Sequence, residues 1–154
     1  MIKIITQKWL KEKEACVSAR RDWHNEQKHG TLETLKRLMV KNPDWANWLI
    51  VRVMSRKQYL RYAIYAALQV IKIYEDKYPN DNRPREAIRA AKKCIKNPNK
   101  KNRAASEAAS EASEAASRAA SRAASWAASR AASWAAGVAM QKKILKYGIK
   151  LLNK

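Results

Sequence analysis

Residues 118–137 read RAASRAASWAASRAASWAAG, a repeat in which one large residue follows three small ones. Alanine is the best helix former, so this low-complexity segment is predicted to be helical rather than disordered. Acidic residues precede the repeat and basic residues lie within it, which is the order that the helix dipole favours. Residues 103–137 are therefore predicted to form a long helix, with Gly137 as a break or kink before a final amphipathic helix.

The four-residue spacing places the large residues on a stripe that drifts by about 40° per repeat around the helix axis. Small residues elsewhere favour close packing between helices over a solvated spacer, because serine can bond back to helix carbonyls. Trp126, Arg130 and Trp134 share one face of this stripe. Two interpretations stay open: the indoles fill gaps in a core, or they stack an aromatic ring while Arg130 pairs with a phosphate.

The rest of the chain also indicates an all-α fold, since its 154 residues include only three glycines and four prolines. Periodicity and caps predict five further helices. They run from Thr6 to about Asn25, from Thr31 to the Asn42-Pro43 stop, from Asp44 to about Met54, from Ser55 to Pro79, and from about Pro84 to Lys96. The fourth of these is apolar nearly all round, which places it at the centre.

These elements predict a compact multi-helix bundle of about six to seven helices with a long Ala/Ser-rich C-terminal helix. We expect a single domain over residues 1–154, because a chain of this length can form one core. Its predicted parts are a five-helix region, residues 1–97, and a region of the repeat helix and terminal helix, residues 103–154.

The net charge of +20 favours an anionic partner. Basic residues dominate from Arg83 to Arg103, and Arg83 lies near a helix start, where unpaired N–H groups also favour anions. A phosphate site at Arg83, Arg85 and Arg89 is one interpretation, and a solvated charged face is the other. Tyr62 and Tyr78 would line a pocket beside these arginines or pack at the edge of the core.

Several classes of chemistry lack a signal in this sequence. Cys16 and Cys94 are predicted to be reduced core thiols rather than a disulfide. His24 and His29 are poorly spaced for a metal, and no nucleophile-elbow, P-loop or dinucleotide motif is present. The sequence therefore predicts a non-enzymatic protein with no cofactor and no metal. No leader or membrane-spanning stretch is visible, so we expect a cytoplasmic protein of a bacterial host cell without a membrane partner.

Three stretches and the Ala/Ser-aromatic repeat resemble a known family. The stretches are EACVSARRDW (14–23), GTLETLKRLMVKNPDWANWLIVRV (30–53) and IYEDKYPNDNRPREAIRAAKKC (73–94). Together they resemble the small, Ala-rich, all-α immunity-protein family of bacteria and phages, many of whose members are phage proteins without an assigned function. Family members often carry tyrosine in the repeat, where this chain has arginine and tryptophan. The resemblance implies an all-α fold, no established catalytic residues, and neutralisation of a target by binding.

The leading hypothesis is a non-enzymatic binding protein of phage or bacterial conflict, acting in immunity or anti-defence. It would sequester an anionic, nucleotide-type immune signal, a phosphate-bearing small molecule, in a pocket between helices. The predicted ligand-binding residues are Arg83, Arg85, Arg89, Trp126, Arg130, Trp134, Tyr62 and Tyr78. The alternatives are a protein-binding inhibitor of a toxin or host defence effector, and a basic nucleic-acid-binding protein that uses the Arg85–Lys96 face. A homo-oligomer stays open, since an Ala-faced helix can pair between chains.

Overall fold

The computed structural model describes residues 5–26, 30–108 and 131–153, and within them it contains helices and no strand. The helices are α1 (Gln7–Glu12), α2 (Val17–Glu26), α3 (Thr31–Lys41), α4 (Pro43–Val53), α5 (Arg56–Lys77), α6 (Arg83–Lys96), α7 (residues 100–108) and α8 (Ala131–Leu152). The predicted all-α fold class is thus confirmed. Residues 109–130, which hold most of the Ala/Ser repeat, lie outside the described residues.

The chain divides into two compact units. The first unit comprises Met1–Ser55 with Gln141–Lys154, and the second comprises Arg56–Met140. This division differs from the predicted one, which separated residues 1–97 from residues 103–154. The single domain over residues 1–154 stays a prediction.

In the first unit, α1 packs against α2 and α3 packs against α4. Its core includes Leu35 and Ile50, both fully buried. The C-terminal part of α8 buries Leu145, Ile149 and Leu152, which recur at helical spacing on one face. The Gln141 Nε2 of α8 donates to the Oδ1 of Asp44, in the first turn of α4, at 2.7 Å.

The predicted first helix is two helices, so its predicted course to Asn25 is wrong. Thr6 caps α1 as expected, its hydroxyl accepting from the Trp9 N–H at 3.1 Å. Glu14 then adopts a φ of 56°, a left-handed conformation that is uncommon outside glycine. Glu14 N–H donates to the carbonyl of Lys11, and Ala15 N–H donates to the carbonyl of Leu10. These two bonds form a Schellman motif that ends α1 without the usual glycine.

The joint between α3 and α4 is one residue long, as the Asn42-Pro43 pair predicted. The Asn42 side-chain oxygen accepts from the Trp45 N–H at 3.2 Å, and Pro43 occupies the first helical turn. The backbone N–H of Asn42 donates to the Leu38 carbonyl and closes α3. One asparagine therefore ends one helix and begins the next, which holds the two ends together.

In the second unit, α5 packs against α6. Helix α5 buries Tyr62 and Ile71 but leaves Leu68 45% exposed. Part of its apolar surface thus faces solvent, which differs from the central position that the sequence predicted. Helix α6 begins at Arg83 and buries Ile88 and Cys94 against the unit. A hydrogen bond of 3.0 Å from Arg56 to Glu107 connects the start of α5 with α7.

Helix α8 runs through Gly137, where the sequence predicted a break or kink. Gly137 does not have a positive φ, and the helix continues from Ala131 to Leu152. A glycine inside a helix costs only about 1 kcal/mol relative to alanine. That cost is small beside the packing of the apolar face that α8 buries in the first unit.

Candidate functional site

Arg83, the first predicted phosphate ligand, is held by a carboxylate of its own chain. Its Nε donates to Asp81 Oδ1 at 2.9 Å and its Nη2 to Asp81 Oδ2 at 2.6 Å. This is the two-point geometry that the guanidinium fork favours. The Tyr74 hydroxyl also donates to Asp81 Oδ2, at 2.6 Å. These hydrogen bonds lower the pKa of Asp81 well below its usual range, with the larger effect from the Arg83 guanidinium and a smaller one from the Tyr74 hydroxyl.

Arg85 pairs with a different carboxylate, and Arg89 lies on the exposed face of α6. The Arg85 Nη2 donates to Glu75 Oε2 at 2.7 Å, and its Nε contacts Glu75 Oε1. The three predicted phosphate ligands thus do not share one anion site in this arrangement. Their part in ligand binding stays a prediction.

The two predicted tyrosines lie in different environments. Tyr78 and Arg83 line the same open concavity at the turn between α5 and α6, together with the carboxylates of Asp81 and Glu86. Tyr62 does not line that concavity and is buried, and burial raises its pKa to about 12. The structure therefore brings Tyr78 to Arg83 and leaves Tyr62 in the core of the second unit.

The predicted tryptophan stripe falls largely beyond the described part of the chain. Trp126 and Arg130 lie outside the described residues. Trp134 belongs to α8, but its side chain is outside the described residues. Ring stacking by these residues stays a prediction.

Helix α6 presents a continuous cationic face, which we call the cationic stripe. It consists of Arg89, Lys92, Lys93 and Lys96, all of them exposed. Their spacing of three and four residues places the four side chains side by side. None of the four forms an ion pair with another described residue. The opposite side of the helix carries the buried Ile88 and Cys94, as the amphipathic pattern predicted.

The first unit contains a cavity of about 260 Å³ that the sequence did not predict. We call it the aromatic cavity, because Trp23 of α2 and Trp45 and Trp48 of α4 line it. Buried apolar side chains complete its lining, namely Leu10, Ala15, Leu38 and Leu49. The spacing of Trp45 and Trp48 indicates only that they share a helix face. Nothing in the pattern shows which residues of α2 pack opposite them.

Two local motifs position this lining. The Schellman motif joins Leu10 at the end of α1 to Ala15 before α2. Trp48 has two further contacts, a T-shaped one with Trp9 at a ring-centroid distance of 6.2 Å and one with the Arg52 guanidinium, 4.0 Å from its ring centre. The Asn42 cap sets the start of α4, which carries both Trp45 and Trp48.

Four polar residues also line the aromatic cavity: Cys16, Asp22, Lys41 and Asn42. Cys16 is exposed, so its predicted place in the core is wrong, whereas Cys94 is buried as predicted. The Ser18 hydroxyl, 3.3 Å from Cys16 Sγ, and then the backbone N–H of Ala19 lower the pKa of the Cys16 thiol. The start of α2 thus favours the thiolate at this cavity.

Metal ligation and membrane insertion find no support in the described part of the chain. Within residues 5–26, 30–108 and 131–153, no three His, Cys, Asp or Glu side chains are grouped to hold a metal ion. Among the helices described, none combines the length and the apolar character needed to cross a bilayer.

Comparison with known proteins places the chain in a family. The profile of the Imm-5 like putative immunity protein family matches residues 50–152, which is more than half of the chain. The chain therefore belongs to this family, and the resemblance noted in the sequence is confirmed. Comparisons with curated proteins and with solved structures found no match. The matched segment includes the cationic stripe, whereas the residues that line the aromatic cavity precede it.

Proposed function

We propose that this protein is a non-enzymatic immunity protein that neutralises a toxin or effector protein by binding an acidic surface on it. The cationic stripe of α6 is the proposed contact surface. The observation that carries this proposal is the set of four exposed cations on one helix face, within the segment that matches the family.

Electrostatics support a protein partner with an acidic face. Charged residues across an interface steer the encounter and select the partner more than they add raw affinity. The net charge of +20 strengthens this attraction, and the Debye length of about 8 Å at physiological salt limits its range. A binding rate that falls with added salt is therefore expected.

The composition of the stripe favours a broad acidic surface over a single phosphate. Three of its four members are lysines, which act as point charges rather than as two-point forks. The forks of Arg83 and Arg85 are already engaged by Asp81 and Glu75. Sequestration of a nucleotide-type signal at Arg83, Arg85 and Arg89 would require phosphate to displace two carboxylates. Nucleotide sequestration at these arginines is accordingly less supported than the immunity contact. The same holds for a role in phage anti-defence.

The test begins with a photo-crosslinking amino acid in place of Lys92, in the bacterial host that makes the protein. The cross-linked protein is identified, purified and titrated by calorimetry against the parent chain and against the double variant Lys92→Glu/Lys93→Glu. Charge reversal should weaken binding by roughly a hundredfold, since desolvated charge pairs across interfaces couple by about 2 kcal/mol or more. Lys100→Glu/Lys101→Glu changes the charge by the same amount in the exposed start of α7 and is the matched control.

Three results would contradict the proposal. Equal loss of binding in both double variants would show that net charge, not the stripe, determines affinity. Retention of a DNA duplex with a steep salt dependence between about 50 and 200 mM salt, and no cross-linked protein, would favour the nucleic-acid alternative. A nucleotide that is released when the native protein is heat-denatured, and that is absent from an Arg83→Ala/Arg85→Ala variant, would favour sequestration at these arginines instead.

A further inference from the structure

The aromatic cavity has no part in the proposed immunity contact. It lies in the first unit, and its lining residues precede the segment that matches the family. We propose that the aromatic cavity binds the flat nitrogen heterocycle of an anionic small molecule, of the chemical class of a nucleotide. The proposal stands on the lining of the cavity and is independent of the stripe on α6.

The size of the cavity limits what it can hold. Its volume of about 260 Å³ is slightly below the range of about 300–1,000 Å³ that is typical of sites for drug-sized ligands. One ring system therefore fits, and the rest of a nucleotide does not. The sugar and phosphate would lie at the mouth, where water can reach the charge.

The lining suits a flat ring. Indole faces stack on nucleobases, and each such contact is worth about 1–3 kcal/mol. Trp45 and Trp48 line the cavity and are half-buried, and Trp23 also lines it and is buried. Leu38 and Leu49 supply an apolar surface that favours a ring over water.

Two polar side chains match the edge of a nitrogen heterocycle. The oxygen of Asn42 already accepts from the Trp45 N–H, which leaves its amide NH₂ as a donor to a ring nitrogen or carbonyl. The Asp22 carboxylate is an acceptor for a ring amine or ring N–H. Its bond to Arg21 is long, at 3.4 Å, and exposed. A nucleobase carries both hydrogen-bond acceptors, which match the Asn42 amide, and hydrogen-bond donors, which match the Asp22 carboxylate.

Charge decides between a neutral ring with an anionic tail and an organic cation. Aromatic residues beside a carboxylate can also bind quaternary ammonium groups. Here Lys41 lines the same cavity, and the chain carries a net charge of +20. Both oppose a cationic ligand and favour an anionic one.

The test titrates the full chain by calorimetry with AMP and GMP as probes. Ribose 5-phosphate supplies the phosphate without the base, and choline supplies the cation. We expect a nucleotide Kd below about 1 mM and at least roughly tenfold weaker binding of ribose 5-phosphate. Nucleotide binding no tighter than that of ribose 5-phosphate, or binding of choline instead, would overturn the proposal.

A cavity-filling variant locates the binding site. Ala19 lines the cavity on α2, so Ala19→Leu adds atoms where the ring would lie and should weaken nucleotide binding by about tenfold or more. Val17→Leu adds bulk to an exposed position on the same helix and should leave the affinity unchanged. Equal effects of the two variants would contradict the assignment to this cavity.

Alkylation of the parent chain provides a measurement that needs no variant to fold. Cys16 is exposed at the cavity and Cys94 is buried in the second unit, so the two thiols are probe and internal control. Saturating AMP or GMP should slow the alkylation of Cys16 by iodoacetamide several-fold and leave Cys94 unchanged. A nucleotide that binds without protecting Cys16 would place its site elsewhere and overturn the proposal.

Discussion

The arginines of the second unit and the tryptophans of the first differ in what they leave available to a ligand. In the second unit, Arg83 pairs with Asp81, two residues away, and Arg85 pairs with Glu75, ten residues away, so the charge of both arginines is balanced within the unit. In the first unit, tryptophans line a cavity rather than filling it. A count of arginines therefore overstates the cations that a ligand can use, whereas the tryptophans of α2 and α4 supply an aromatic surface that no sequence motif marked.

The apolar lining of the aromatic cavity should produce the largest change in stability. Leu49 is buried and borders the cavity, so Leu49→Ala should lower the free energy of unfolding by about 2–5 kcal/mol. Urea denaturation measures this change. Leu68→Ala in the second unit is the control, because an exposed leucine should cost only about 0.5 kcal/mol. Equal costs would mean that the cavity lining is not a packed core.

The helices of this chain were largely predictable because their signals are local. The Asn42-Pro43 cap, the Thr6 cap and the amphipathic pattern of α6 each depend on residues within one or two turns. The break after α1 was not predictable in this way, because Glu14 occupies a left-handed position that glycine usually takes. Its stability comes from Leu10 and Ala15, which are buried on either side of it.

The candidate sites were less predictable because they depend on which helices meet. The cationic stripe lies on one helix, so periodicity alone identified it. The pairing of Arg85 with Glu75 joins α6 to α5. The aromatic cavity needs α1, α2, α3 and α4 together. Both features follow from packing between helices, about which the spacing within each helix carries no information.

Burial of Tyr62 in the second unit should appear at alkaline pH. Its pKa is raised to about 12 in the folded chain, against an ordinary value of 10.0. Between these values the unfolded chain ionises first, so stability falls as pH rises, by at most about 1.4 kcal/mol per pH unit. Thermal unfolding from pH 9 to pH 12 measures the loss. Tyr62→Phe should reduce it, whereas Phe at the exposed Tyr59 should not. The same loss in all three proteins would contradict this assignment.

The cap between α3 and α4 should have a moderate effect. Asn42→Ala removes the acceptor of the Trp45 N–H and should cost about 1 kcal/mol in urea denaturation. Gly30 is the complementary site, because it caps α3 without a side-chain bond and a Cβ added there would meet no other atom within 4 Å. Gly30→Ser should therefore raise the free energy of unfolding by about 0.3 kcal/mol. If Gly30→Ser lowered the free energy of unfolding more than Asn42→Ala does, the assigned roles of the two caps would be wrong.

The ionic cluster around Asp81 should give the smallest effect, because exposed ion pairs contribute little to stability. The lowered pKa of Asp81 means that the folded chain keeps its carboxylate ionised while the unfolded chain takes up a proton. Its contribution is thus complete above the ordinary pKa of 3.8 and is lost as pH falls below that value. Asp81→Asn should lower Tm slightly at pH 7, and the difference from the parent should narrow toward pH 2.

The exposed Asp76 on α5 offers the matched control for that substitution, since Asp76→Asn removes the same charge without breaking the pair with Arg83. Added salt should also shrink the difference at pH 7, because it screens an exposed pair. If Asp81→Asn and Asp76→Asn lowered Tm equally at every pH, the cluster would act only through net charge. The Asp81 carboxylate would then not hold the Arg83 guanidinium, which would be available to an anion, and the contrast with the first unit would no longer apply to Arg83.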